Sequence, residues 1–216
     1  MKRIIGIIWK AVLIAILAIF VIGLIIGSFR TPEPAAPAKP VIYLYPEAET
    51  EVSVELDFNG ELTSTYPAYN GGWRVSAKPD GTLIDSEGRE YYCLFWEGIS
   101  HVDYEISSGF VVPGDETEAF LEESLAALGL RNKESNEFII YWLPRMENNP
   151  YNLISFLQED YTDNAALRVS PAPDTVLRVF MAWEALDEPI DIPGQELKFT
   201  KRTGFTLVEW GGAEIK

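Results

Sequence analysis

The chain has 216 residues, 17 Lys and Arg against 33 Asp and Glu, one His and one Cys, and a formal net charge of −16. A single cysteine excludes a disulfide framework within the chain, and two Cys/His residues in all cannot furnish the four ligands of a usual structural zinc site. An acidic chain repels nucleic-acid phosphates, so no nucleic-acid partner is expected, and a hydrophobic fraction of 47% excludes a disordered chain.

Residues 4–29 are apolar apart from Lys10 and Ser28, and from Ala11 to Phe29 only Ser28 is polar. Nineteen residues of helix measure roughly 28 Å, close to the hydrocarbon thickness of about 30 Å. The run therefore predicts a transmembrane helix, the form that satisfies every backbone group within the segment. Lys2, Arg3 and Lys10 precede or open the run and only Arg30 follows closely, so the N-terminus is expected in the cytoplasm and the rest outside, anchored at the cell membrane. Ala36-Pro37-Ala38 has the small-x-small pattern of a signal-peptide cleavage site, but the apolar run exceeds the usual 7–15 residues and ends well before it, which favours an uncleaved signal-anchor. Gly23 and Gly27 form a GxxxG pattern, a spacing that lets two membrane helices approach as a weak homodimer, although glycine is common in such helices anyway.

Residues 31–40 read TPEPAAPAKP, four prolines in ten residues, which predicts an extended spacer of some 30 Å. All 33 acidic residues follow Arg30, with 13 of the 17 basic ones, leaving the outer part at −20. Solubility accounts for that charge; repulsion from anionic lipid or wall polymer is its other consequence.

Beyond the spacer the pattern turns to strands. Val41–Tyr45 is a short apolar run, and residues 51–58 alternate with Val52, Val54, Leu56 and Phe58 on one face. Asn59-Gly60 predicts a hairpin returning as Glu61–Tyr66, and Pro79-Asp80-Gly81 a turn between residues 73–77 and 82–84. Residues 91–96 and 99–106 read as further strands. Asp115 and Glu118 suggest a capping box, after which Leu121, Leu125 and Leu128 recur at helical spacing and Gly129 fits the position after the helix end. A shorter helical turn is expected over 132–137. Phe138–Leu143, Tyr151–Leu157, Leu167–Val169, Val176–Trp183 and Phe205–Trp210 then read as strands, the last ended by Gly211-Gly212. The expected class is α+β: one N-terminal transmembrane helix followed by a mostly antiparallel β domain with one main helix. The expected organisation is a cytoplasmic N-terminus (1–3), the transmembrane helix (4–29), a Pro-rich linker (30–39) and an extracytoplasmic domain (40–216).

Candidate chemistry is sparse. His101, Asp103 and Glu105 would share one face of a strand and could orient an imidazole or hold a cation, or simply form a solvated face. Glu97 follows Phe95-Trp96, and a carboxylate beside a large aromatic can serve as a general acid; with Asp103 or Glu105 it would form a glycosidase-like couple. Tyr66, Tyr69 and Trp73 cluster around Pro67 and Gly71-Gly72, where flat rings suit sugars or peptides, or pack a core. Arg145 and Arg178 are rare cations suited to a carboxylate ligand or to internal ion pairs. Cys93 reads as a small buried hydrophobe. No nucleophile elbow, phosphate loop or full EF-hand loop is present, so no cofactor is expected; Asp57–Gly60 and Asp85–Gly88 are acidic turns able at most to bind Ca²⁺ weakly.

Several runs resemble a family of bacterial envelope-associated proteins without an established activity that shares the opening Lys-Pro-Val-Ile-Tyr-Leu-Tyr-Pro, here Lys39 to Pro46. Residues 94–98 (LFWEG), 109–116 (GFVVPGDE), 137–146 (EFIIYWLPRM), 150–154 (PYNLI) and 178–183 (RVFMAW) carry the same resemblance across most of the outer domain. It implies a bacterial origin and a defined fold, with the membrane helix as a variable addition, and assigns no catalytic residue. The functional expectation is a membrane-anchored binding or scaffolding module of the cell envelope, with Tyr69, Trp73, His101 and Arg145 as ligand contacts and a glycan or peptide as ligand. The alternative is a carboxylate-dependent envelope hydrolase using Glu97 with Asp103 or Glu105.

Overall fold

Every residue of β1 (Val41–Tyr45) except the last is buried, and its two faces belong to two different cores. The computed structural model describes residues 39–157 and 159–215, so the expected helix at 4–29, Gly23 and Gly27, and the linker up to residue 38 lie outside the described residues. Ile42 and Leu44 point between two sheets, whereas Val41 and Tyr43 point to a helical layer. A strand covered on both faces reads as a continuous apolar run, which is how Val-Ile-Tyr-Leu-Tyr stands in the sequence.

The larger sheet joins seven strands in the order β3 (Gly60–Tyr66), β7 (Leu94–Ser100), β1, β12 (Thr206–Glu214), β11 (Thr175–Leu186), β9 (Tyr151–Phe156) and β8 (Phe110–Pro113). The smaller joins β10 (Ala165–Ser170), β2 (Thr50–Phe58), β4 (Trp73–Ala77), β5 (Leu83–Ile84) and β6 (Glu90–Tyr91). Pairing is antiparallel throughout, except that β11 runs parallel to β12. The sheets enclose one core, with Val52, Val54 and Leu56 of β2 facing Leu94, Trp96 and Phe180. On the other side of the large sheet lie α1 (Thr117–Leu128) and α2 (Asn132–Met146), which bury Leu121, Leu125, Phe138 and Trp142 against Val179, Met181 and Trp210. A six-residue α3 (Glu159–Asn164) leads into β10.

The α+β expectation with one main helix is therefore corrected: the domain is β-rich, two sheets with few helices, and two of these form a layer together. Among the described residues no helix is long and apolar enough to cross a membrane. The largest local difference is α2, which continues through 138–143, the expected strand. Burying Phe138, Trp142 and Met146 at helical spacing is worth roughly 1.5–3 kcal/mol each, more than the few tenths that each β-branched or aromatic residue costs a helix. Pro144 does not stop the helix because it lies in the last turn, and the carbonyl it deprives of a donor belongs to Ile140, which is 74% exposed.

Other differences come from strands changing sheets. Asn59-Gly60 does not make a hairpin: β2 and β3 belong to different sheets, and the dipeptide is the corner between them. Gly60 is needed for close approach, since a Cβ there would sit 2.3 Å from the Ile99 carbonyl oxygen and 2.5 Å from the Phe58 ring. The expected strand 91–96 is cut at Tyr92-Cys93, where the chain leaves β6 in one sheet for β7 in the other. Gly211-Gly212 does not end β12; the strand runs on, and Gly212 makes room for Trp142, whose ring would lie 2.8 Å from an added Cβ. The helix start differs too: no side chain caps α1 at its N-terminus, while at α2 the Glu134 carboxylate reaches back to accept from the backbone N–H of Arg131. Gly129 takes the expected place after α1, at φ +105°, with its N–H and that of Leu130 returned to Leu125.

Candidate functional site

Helix α2 carries two adjacent stripes. Phe138, Trp142 and Met146 face the core; Glu137, Tyr141 and Arg145, one position round, face a groove. Its other wall is built by Lys39 and Val41 at the start of β1, Tyr66 at the end of β3, the β6–β7 connection and Phe95 of β7. The cavity is about 650 Å³, within the range of small-molecule sites. Tyr66 is 63% and Tyr92 53% exposed, so large rings stand open to solvent at its mouth. Tyr66 packs edge-on against Tyr91 at 5.4 Å.

The polar groups of the groove are held from below. Buried Tyr43 donates a 2.6 Å hydrogen bond to Oε2 of Glu137, and buried Trp210 donates through Nε1 to the Tyr43 hydroxyl at 2.9 Å. Burial, followed by the Glu137 hydrogen bond, pushes the Tyr43 hydroxyl far above the ordinary tyrosine range, so it remains a donor. Lys39 Nζ lies 3.8 Å from the centroid of the Tyr141 ring, and the Arg145 guanidinium carbon 3.9 Å from the same centroid. The two cations are thus at most 7.7 Å apart, the sum of those distances. Desolvation first, and repulsion from Arg145 second, lower the Lys39 pKa, against weaker support from Glu97, Cys93 and Glu137. Among the described residues neither cation has a carboxylate within ion-pairing distance, whereas Arg89, Arg168, Arg178 and Arg202 each do. Cys93 also lines the groove; burial, then Glu137, pushes its thiol up to about 12, which leaves it neutral and a poor nucleophile.

Of the residues expected to bind ligand, Arg145 lies in the groove and the others do not. The Tyr69 hydroxyl bonds the backbone N–H and C=O of Leu56, its ring packs on Trp73 at 4.7 Å, and Trp73 is buried with its Nε1 on the Pro67 carbonyl; both rings pack the sheet-to-sheet core. Tyr66, from the same sequence cluster, points the other way and joins the groove. His101 is exposed just past β7, which ends at Ser100, so His101 lies in a bend and Asp103 and Glu105 in irregular chain rather than on a strand. Burial still alternates, with Tyr104 buried among them. Glu97 is half-buried on β7 on the Lys39 side, while Glu105 lines a separate polar hollow with Gln195 and Lys198. No cluster of three or more metal-ligating side chains occurs among the described residues.

The chain is 52% identical over 63 residues to "Uncharacterized protein in bglA 3'region" of Butyrivibrio fibrisolvens. That stretch is 28% of this chain and 65% of the relative, so the match spans just under two thirds of the relative's length. No family model matches the chain, and no solved structure does.

Lys39, Tyr92, Glu137 and Tyr141 were not singled out as contacts by the sequence. The signal present for Lys39, Glu137 and Tyr141 was their membership of runs 39–46 and 137–146, which the fold brings together at this groove with run 94–98; Tyr92 lies just before that last run.

Proposed function

We propose that this chain is a ligand-binding module of the bacterial cell envelope, acting outside the cytoplasm, and that the groove between α2, β1 and β7 holds a glycan. The observation that carries the reading is the pair of exposed rings at Tyr66 and Tyr92 on one cavity of about 650 Å³, with Tyr141 holding Lys39 and Arg145 over its ring and Glu137 beside them. A sugar ring has an apolar C–H face and a hydroxylated edge. A tyrosine ring takes the face, while a carboxylate and a guanidinium take neighbouring hydroxyls as acceptor and donor. Glu137 suits this role because the Tyr43 bond fixes one of its oxygens and leaves the other for a ligand. The location outside the cytoplasm rests on the apolar run at 11–29, the basic residues before it and the acidic chain behind it.

The test is binding of the full chain to a glycan array, followed by titration of the best hit. Tyr141→Ala and Tyr66→Ala should each weaken binding by about tenfold, equivalent to 1.4 kcal/mol, with Arg168→Gln on the smaller sheet as an unaffected control. Uniformly blank arrays, or binding indifferent to both tyrosines, would refute the proposal.

A further inference from the structure

Most described arginines of this acid-rich chain are matched to carboxylates: Arg89 to Asp85, Arg168 to Glu55 and Asp57, Arg178 to Glu209, Arg202 to Glu134. Arg145 and Lys39 have no such partner among the described residues, and neither do Arg74, Arg131 and the other described lysines; what sets these two apart is that they share one tyrosine ring inside the groove. Glu137 and Glu97 lie within electrostatic reach of Lys39, but neither comes within ion-pairing distance of it or of Arg145. Two like charges are thereby held at most 7.7 Å apart at a largely apolar groove, with no ion-paired carboxylate among the described residues. Such an arrangement costs free energy in the empty protein, and an incoming anion removes that cost.

We propose that the groove selects carboxylate-bearing glycans, sugar acids whose carboxylate is taken by Lys39 and Arg145 while the ring face lies on tyrosine and the hydroxyls on Glu137. This deepens, and rests on, the reading of the groove as a glycan site. Charge complementarity argues for it: the chain as a whole is acidic, and in this groove two cations stand around one ring with no carboxylate within ion-pairing distance. A neutral glycan leaves them unmatched. Burial first, and repulsion from Arg145 second, lower the Lys39 pKa.

The experiment titrates the full chain with oligosaccharides of glucuronate, galacturonate, mannuronate and N-acetylmuramate, each against its methyl ester, at low salt. The acid form of at least one pair should bind ten times more tightly than its ester. Arg145→Gln and Lys39→Met should each erase most of that preference, and the preference should shrink as salt rises. Arg168→Gln should change nothing. N-acetylphenylalanine and its amide form the peptide arm: if that carboxylate is preferred while every sugar acid fails, the glycan assignment here is overturned. Acid and ester binding alike through Tyr141 overturns the carboxylate inference and leaves the groove reading intact. Acid-selective binding that survives Tyr141→Ala and Tyr66→Ala removes the groove reading instead. No preference in any pair overturns the inference.

Discussion

The sandwich between the two sheets contains a charged pair whose removal should be felt strongly. Glu209 on β12 is 0% exposed and Arg178 on β11 is 8% exposed by side chain, and Nε of Arg178 donates to Oε2 of Glu209 at 2.5 Å. The other carboxylate oxygen accepts from Trp96 Nε1 at 3.2 Å. Nη2 of Arg178 donates to the Ala165 carbonyl at 2.6 Å, and the guanidinium sits 4.7 Å from the Tyr161 ring, which stacks on Phe180. The pair thus ties β10 and α3 to the larger sheet. Glu209→Leu leaves a cation buried with one carbonyl and one ring for company. Breaking a buried pair from one side costs about 3–5 kcal/mol, which for a domain of this size lowers the melting temperature by about 6–20 °C. Replacing both partners, Glu209→Leu with Arg178→Met, removes the stranded charge. What remains is an orphaned Trp96 N–H and Ala165 carbonyl, each costing about 1–3 kcal/mol and offset by the apolar replacement. The double variant should therefore recover at least half of the loss. Thermal and urea unfolding of the three variants measures this. If the two single losses simply add in the double variant, the sheets are not held by a coupled pair and the reasoning fails.

Three further outcomes are expected. Gly212→Ala should lose about 1–3 kcal/mol, because the new Cβ would lie 2.6 Å from the Met181 carbonyl oxygen and 2.8 Å from Trp142, whereas Gly194→Ala, with nothing within 4 Å, should unfold like the parent in the same urea series. The Asp85 carboxyl is held at about 2: desolvation pushes it up, but hydrogen bonds from the Arg89 N–H and side chain, the Glu87 N–H and the Tyr91 hydroxyl outweigh this. Its folded value lies below the ordinary 3.8, so the 85–89 turn should be fully stabilised above about pH 4 and loosen as pH falls through 2; amide shifts of Glu87 and Arg89 report it, and a midpoint near 4 would contradict it. Cys93, with its thiol at about 12, should react with maleimide at pH 8 at least ten times more slowly than glutathione; an equal rate would show that the groove is more open than described.

Elements with a local cause were legible in the sequence. The alternation of Val52, Val54 and Leu56 gave β2, and Leu121, Leu125 and Leu128 with Gly129 gave α1 and its end. The favoured reading of an internal ion pair agrees with the structure for Arg178 but not for Arg145, which has no carboxylate within ion-pairing distance among the described residues, and Cys93, read as buried, is half-buried at the groove. What was not legible depended on distant partners. Asn59-Gly60 has the chemistry of a hairpin, but β2 finds β10 and β4 while β3 finds β7, so the dipeptide turns between sheets. Ile139 and Ile140 favour a strand by themselves; only the sheet surface waiting for Phe138, Trp142 and Met146 makes the helical period win. In the same way Gly211-Gly212 reads as a terminator until Trp142 is known to lie over it.

The groove shows why a site can hide while its residues stand in plain view. On a strand, Phe138, Ile140 and Trp142 would share a face. On α2, Ile140 turns to solvent, Phe138 and Trp142 go inward, and Glu137, Tyr141 and Arg145 form the stripe between. A one-step change of period thus decides which residues line the groove. The stripe also stands directly over the buried layer, so Tyr43 can reach Glu137 across 94 residues of sequence and Trp210 can brace Tyr43 across 167. Tyr69 and Trp73, by contrast, spend their polar atoms on Leu56 and Pro67. Composition marks both groups equally as aromatic and polar. The distinction is where their hydrogen bonds end: in the first group on a carboxylate with an oxygen to spare at an open cavity, in the second on backbone that needs nothing more.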